Sequence, residues 1–181
     1  MKTRKKPSRI IQLIAAVSLN GMIADTLGNF ESSPEDRDWL QKKIQESDAV
    51  VVGRKTFQKH IEIKPGFEKP LIIFTRIMSG SRVLPHISHE VHFFHDSKEE
   101  FENLCDLMQY RVVTVLGGAE IYHWFIEQNL ATDFFLTLEP FILGSGMNLL
   151  KGSLLSLEKS WILKSVKPLN TKGSQVLHYQ P

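Results

Sequence analysis

Short apolar runs rich in β-branched and aromatic residues recur along the whole chain, and several are separated by segments with helical spacing. That alternation is the strongest constraint on the fold. The runs at Ile10–Val17, Ala49–Val52, Leu71–Phe74, Val91–His95, Val112–Leu116, Phe134–Leu138, Trp161–Val166 and Gln175–Tyr179 read as strands. Pro34 opens a segment that carries Trp39, Leu40 and Ile44 on one face. Lys98–Met108 repeats apolar residues at Phe101, Leu104, Cys105 and Met108, and Ala119–Asn129 does so at Ile121, Tyr122, Phe125 and Ile126. Strands alternating with helices predict an α/β domain with a mainly parallel eight-stranded sheet flanked by helices. Only the turn signal Pro168–Gly173 separates the last two strands, so they should close the sheet as an antiparallel hairpin.

The 181-residue length suits one domain, expected over residues 10–181 after a basic, flexible tail at 1–9. That tail holds Lys2, Arg4, Lys5, Lys6 and Arg9, which account for the basic excess. Over the whole chain the 22 basic and 20 acidic side chains nearly cancel, giving a net charge of +2 that argues against a nucleic-acid partner. No apolar run approaches the ~18 residues needed to span a bilayer, and no secretory apolar segment follows the tail. The single Cys105 excludes a disulfide framework and fits a reducing compartment. A cytoplasmic protein is the expectation. His86, His89, His92 and His95 recur every third residue, but that spacing aligns ligands only on a helix and this stretch reads as a strand. No metal site is expected.

Several familiar catalytic signatures are absent, among them Gly-x-Gly-x-x-Gly, the Walker loop, His-Glu-x-x-His and Gly-x-Ser-x-Gly. Two strand-to-helix junctions stand out instead. One is Gly53-Arg54-Lys55-Thr56 and the other is Gly117-Gly118-Ala119-Glu120. Glycine just past a parallel strand lets a ligand approach the backbone, and a following helix N-terminus offers unpaired N–H groups. Thr75-Arg76 places a further guanidinium after a third strand. Together these point to a phosphate-bearing nucleotide at the carboxyl edge of the sheet. A different candidate is Ser33-Pro34-Glu35-Asp36. These residues form a good helix start, with a serine cap and acids favourable to the dipole. Asp36 also precedes the Trp39-Leu40 face by three residues, and an inward carboxyl there would have a raised pKa suited to proton transfer.

In order along the chain, these motifs resemble those of the dihydrofolate reductase superfamily, which includes the reductase domain of bifunctional riboflavin-biosynthesis enzymes. Leu13-Ile14-Ala15-Ala16 resembles its first strand and Ser18-Leu19-Asn20-Gly21-Met22-Ile23-Ala24 its substrate-covering loop. Pro34-Glu35-Asp36, the two glycine junctions and Phe135-Leu136-Thr137 complete the set. The resemblance implies NADPH as cofactor, held by Ala16, Gly21, Ile23, Gly53, Arg54, Lys55, Thr56, Thr75, Arg76, Gly117, Gly118, Ala119, Glu120, Ile121 and Tyr122. It implies a small heterocyclic substrate against Ile14, Ala15, Asp36 and Leu40, with Asp36 catalytic and Thr137 its hydrogen-bond partner. It also implies a homodimer. Pro65-Gly66 is followed by Phe67-Glu68-Lys69, without the arginine that holds the glutamate tail of folate in folate reductases. Leu138 to Gly146 is more similar to the riboflavin-pathway branch. The expected activity is hydride transfer to an aminopyrimidine or pteridine. Dihydrofolate reduction and a non-catalytic nucleotide-binding module are the alternatives.

Overall fold

The computed structural model describes residues 9–60, 68–75, 80–82, 91–150 and 159–181. Its elements in order are β1 (Ile10–Ser18), β2 (Met22–Asp25), α1 (Pro34–Gln45), β3 (Ala49–Gly53), α2 (Arg54–His60), β4 (Leu71–Phe74), β5 (Gly80–Arg82), β6 (Val91–Phe94), α3 (Lys98–Leu107), β7 (Val112–Val115), α4 (Ala119–Glu127), β8 (Asp133–Glu139), β9 (Gly146–Asn148), β10 (Ile162–Pro168) and β11 (Gln175–Gln180). All eight expected strands form and lie in one sheet. A ninth strand, the three-residue β5, joins at its edge, giving the order β10-β11-β8-β1-β7-β3-β4-β6-β5. The five pairings from β8 across to β6 are parallel, while β11 with β8, β10 with β11, and β5 with β6 are antiparallel.

Central strands buried on both faces read as continuous apolar runs, and β3 shows why. Its alternate residues serve two layers. Val50 and Val52 pack with Ile44 of α1, Phe57 of α2, Leu71 and Ile73. Ala49 and Val51 pack on the other face with Phe101 and Cys105 of α3 and Ile121 and Phe125 of α4. Helices therefore cover both faces. Phe94, Phe101, Trp124 and Phe125 meet edge to face in the larger layer, the arrangement that aromatic quadrupoles favour.

Helix α1 begins where its sequence says it should. Ser33 is the N-cap, its hydroxyl accepts from the Asp36 N–H at 3.3 Å, and Pro34 follows in the first turn. Ser97 caps α3 in the same way. A separate two-stranded ribbon, β2 with β9, stands at the carboxyl end of β1. Residues 1–8 of the expected tail, and His86 and His89, lie outside the described residues. Arg9 lies against α3, where its guanidinium donates to Asp106 at 2.5 Å and to the Tyr110 carbonyl at 3.0 Å. His92 sits in β6, buried, with its ring facing Tyr110. No helix among the described residues is long and apolar enough to cross a membrane.

Candidate active site

Parallel pairing brings the carboxyl ends of β1, β3, β7 and β8 to one edge. In the register, Ser18 lies opposite Glu139 and Ala16 opposite Thr137. One step across the sheet, Leu13 and Val51 both lie opposite Val115. The two glycine junctions consequently meet: the Gly53 N–H donates to the Gly117 carbonyl at 2.8 Å. Two motifs 64 residues apart in number form one loop pair.

The two adjacent glycines have different reasons to be glycine. Gly117 has φ +82, and a Cβ there would stand 2.5 Å from the Tyr122 ring. That ring cannot yield, because Tyr122 is buried and its hydroxyl donates to the Ile14 carbonyl at 2.5 Å. Gly117 is therefore demanded by the protein itself. Gly118 has φ −76, a value any residue adopts, and a Cβ there would meet nothing within 4 Å. Packing does not account for it. Space left clear at the N-terminus of α4 fits the close approach of a phosphate group.

Around this loop pair, Gly53 is buried, Arg54 and Lys55 are exposed and Thr56 is half-buried at the start of α2. Thr75 is buried just past β4, where its N–H donates to the Phe94 carbonyl at 2.9 Å. Ala119, Ile121 and Tyr122 are buried, and Glu120 is exposed. Ala16 and Ile23 are half-buried, and Gly21 is exposed in the turn after β1. Arg76 and the Pro65-Gly66-Phe67 turn lie outside the described residues.

Asp36 turns inward, only 4% exposed, at the first turn of α1. Burial pushes its carboxyl above the ordinary aspartate range. The Glu139 charge adds to the rise, while the Thr137 and Ser32 side chains and Arg37 oppose it. Thr137 is fully buried on β8, close enough to influence Asp36, yet its Oγ1 makes no hydrogen bond of good geometry. The Asp36 carboxyl is the polar group within its reach, and an interaction with it lowers the Asp36 pKa. Ile14 and Ala15 are buried on β1, and Leu40 is half-buried one helical turn beyond Asp36. Acid and hydroxyl thus gather with Leu40 on the α1 side of the sheet, whereas the Ala15 side chain packs into the opposite layer.

One buried group here escaped the motif reading. Glu139, 2% exposed at the end of β8, accepts from the Ser33 N–H at 2.9 Å, the Ser33 hydroxyl at 2.8 Å and the Ser174 hydroxyl at 2.6 Å. Strand alternation was the available signal, since Glu139 lies on the same face as Thr137, two residues on.

An open, mainly parallel α/β sheet with a pair of glycine loops and a buried acid at its carboxyl edge defines the class. A model of the dihydrofolate reductase family matches residues 10–138, and the chain belongs to that family. The uncharacterized protein YwjB of Bacillus subtilis (strain 168) is 30% identical over 146 residues, covering 76% of this chain and 80% of its own. Among solved structures, a putative riboflavin biosynthesis protein from Shewanella sp. PV-4 has a TM-score of 0.76 at 19% identity, covering 94% of this chain and 98% of that one. Dihydrofolate reductase from Enterococcus faecalis, complexed with NADP(H) and RAB-propyl, has a TM-score of 0.61 at 18% identity, covering 94% and 95%. Both share the fold.

Proposed function

We propose that the chain is an NADPH-dependent reductase acting on a small nitrogen heterocycle, an aminopyrimidine or a pteridine. The observation that carries this reading is the buried Asp36 carboxyl beside the buried Thr137 hydroxyl, on the same sheet edge as the open Gly118 junction. The E. faecalis relative in fold is a complex with NADP(H), which supports the choice of cofactor. The riboflavin-biosynthesis name of the Shewanella protein supports the choice of an aminopyrimidine.

In this reading Gly53, Gly117 and Gly118 admit the pyrophosphate, with the α4 N-terminus and the Thr56 hydroxyl as donors. Arg54 and Lys55 supply positive charge, and Arg54 suits the 2′-phosphate through its planar fork. Thr75, Arg76, Ala119, Glu120, Ile121 and Tyr122 complete the cofactor contacts, with Ala16, Gly21 and Ile23 toward the nicotinamide. When bound, NADPH supplies a hydride to carbon of a C=N or C=O bond. The protein's task is to hold the acceptor ring against Ile14, Ala15 and Leu40 and to provide the proton. Burial keeps Asp36 protonated to higher pH than an ordinary aspartate, so it can hydrogen-bond the ring and give its proton to the nitrogen, or the oxygen, of the bond being reduced. Thr137 would orient that carboxyl once the ring is in place. The homodimer implied by the resemblance has a candidate surface on β10, all seven of whose residues are exposed.

NADPH oxidation measured against dihydrofolate, pterins and phosphoribosylaminouracils tests the reading. Turnover is expected with a pterin or an aminopyrimidine. Tight NADPH binding without turnover on any of them would favour a non-catalytic nucleotide-binding module.

A further inference from the structure

Glu139 carries a buried carboxyl group held by three hydrogen bonds. Oε1 accepts two hydrogen bonds from Ser33, and Oε2 accepts one from Ser174. Ser174 belongs to the turn between β10 and β11, where its N–H and hydroxyl are in turn bound by Asn170. Asn170 reaches on to Glu35 of α1 at 3.1 Å. A single side chain on β8 therefore ties the start of α1 to the C-terminal hairpin.

The link to Asp36 is short. Ser33 caps α1, and the hydroxyl that donates to Glu139 also accepts from the Asp36 N–H. We propose that Glu139 is a positioning residue for Asp36: it clamps Ser33, fixes where α1 presents the Asp36 carboxyl, and sets a second negative charge beside it. Like charges in a site of low dielectric resist ionising together, so Glu139 biases Asp36 toward its neutral, proton-donating form. Three groups other than Thr137 and Ser32 bear on that carboxyl. Glu139 faces it from β8. Tyr122 faces it from α4, and burial pushes its phenol well up, so it remains neutral. Arg37 on α1 itself is exposed and turns its guanidinium to the Ser32 carbonyl at 2.7 Å. Of these, only Glu139 is a buried carboxyl.

The proposal deepens the reductase reading but is tested without cofactor or substrate. Isotope-labelled carboxyl carbons allow the titrations of Asp36 and Glu139 to be followed by NMR in the full chain. Glu139→Gln keeps the shape and an acceptor for Ser33 and removes the charge. The Asp36 midpoint should then move to lower pH. A midpoint that stays put, or rises, in the folded variant would overturn the proposal. Coupling is reciprocal, so Asp36→Asn must move the Glu139 titration to lower pH as well. That second experiment decides the matter if Glu139→Gln fails to fold, and an unmoved Glu139 refutes the coupling. If the chain also reduces a heterocycle, the alkaline limb of turnover in Glu139→Gln should shift to lower pH with NADPH affinity unchanged. Coupled titrations with no NADPH turnover would sink the reductase reading and leave this one standing.

Discussion

The two neighbouring glycines of the β7–α4 loop offer a way to separate ligand binding from folding. Consider Gly118→Val. Its backbone angle suits any residue, and no protein atom lies within 4 Å of the added Cβ. Packing therefore adds no cost, and replacing a tolerated N-cap residue by a poor one costs about 1 kcal/mol. Binding should suffer far more, because the valine methyls would occupy the space proposed for the pyrophosphate. A loss of 10²-fold or more in NADPH affinity corresponds to roughly 2.8 kcal/mol. Gly117→Ala should do the reverse. At φ +82, with the buried Tyr122 ring 2.5 Å from the new atom, it should destabilise the fold by about 1–3 kcal/mol or more. Urea unfolding and NADPH titration by fluorescence on both variants make the comparison. The reasoning fails if Gly118→Val binds NADPH with wild-type affinity, or if it costs as much stability as Gly117→Ala.

Other consequences are as direct. Arg54→Ala should weaken NADPH binding by about 10-fold or more while leaving NADH binding nearly unchanged, on the scale of one charge-assisted hydrogen bond; equal losses would show that the arginine does not read the 2′-phosphate. Asp36 titrates above its ordinary range when folded, so the folded chain holds a proton that the unfolded chain releases. Its stabilising contribution is complete below the ordinary aspartate range and is lost as pH rises through the folded-state midpoint. Asp36→Asn, which does not titrate, should therefore gain stability relative to wild type as pH rises across that window, read from urea midpoints at a series of pH values. Burial pushes the Cys105 thiol up to about 12, so alkylation at neutral pH should follow unfolding and be negligible in the native chain.

The sheet was legible because its strands are buried on both faces, leaving runs such as Ala49–Val52 and Leu71–Phe74 without polar interruption. Strands β2, β5 and β9 were not legible. They have three or four residues each, and β9 is exposed along its length, so no apolar pattern marks them. Asp36 could be suspected of turning inward from its spacing to Trp39 and Leu40, and it does. Glu139 could not be found by that route, because its partners Ser33 and Ser174 lie 106 and 35 residues away. Strand alternation, which puts Glu139 on the face of Thr137 at the end of β8, was the one local hint. Nor could the sequence divide the work of Gly117 and Gly118, since the division depends on where Tyr122 comes to rest.

The account rests most heavily on Asp36 as the proton donor. Turnover of wild type and Asp36→Asn should be compared with NADPH and the best substrate of the panel, across pH, with NADPH affinity measured in parallel. The account predicts a loss of roughly 10²-fold or more in turnover with affinity scarcely changed, the scale expected for removing a general acid. Wild-type activity should fall as the carboxyl deprotonates, and the asparagine variant should lack that limb. Wild-type turnover in Asp36→Asn would contradict the account and leave Asp36 a helix-start residue.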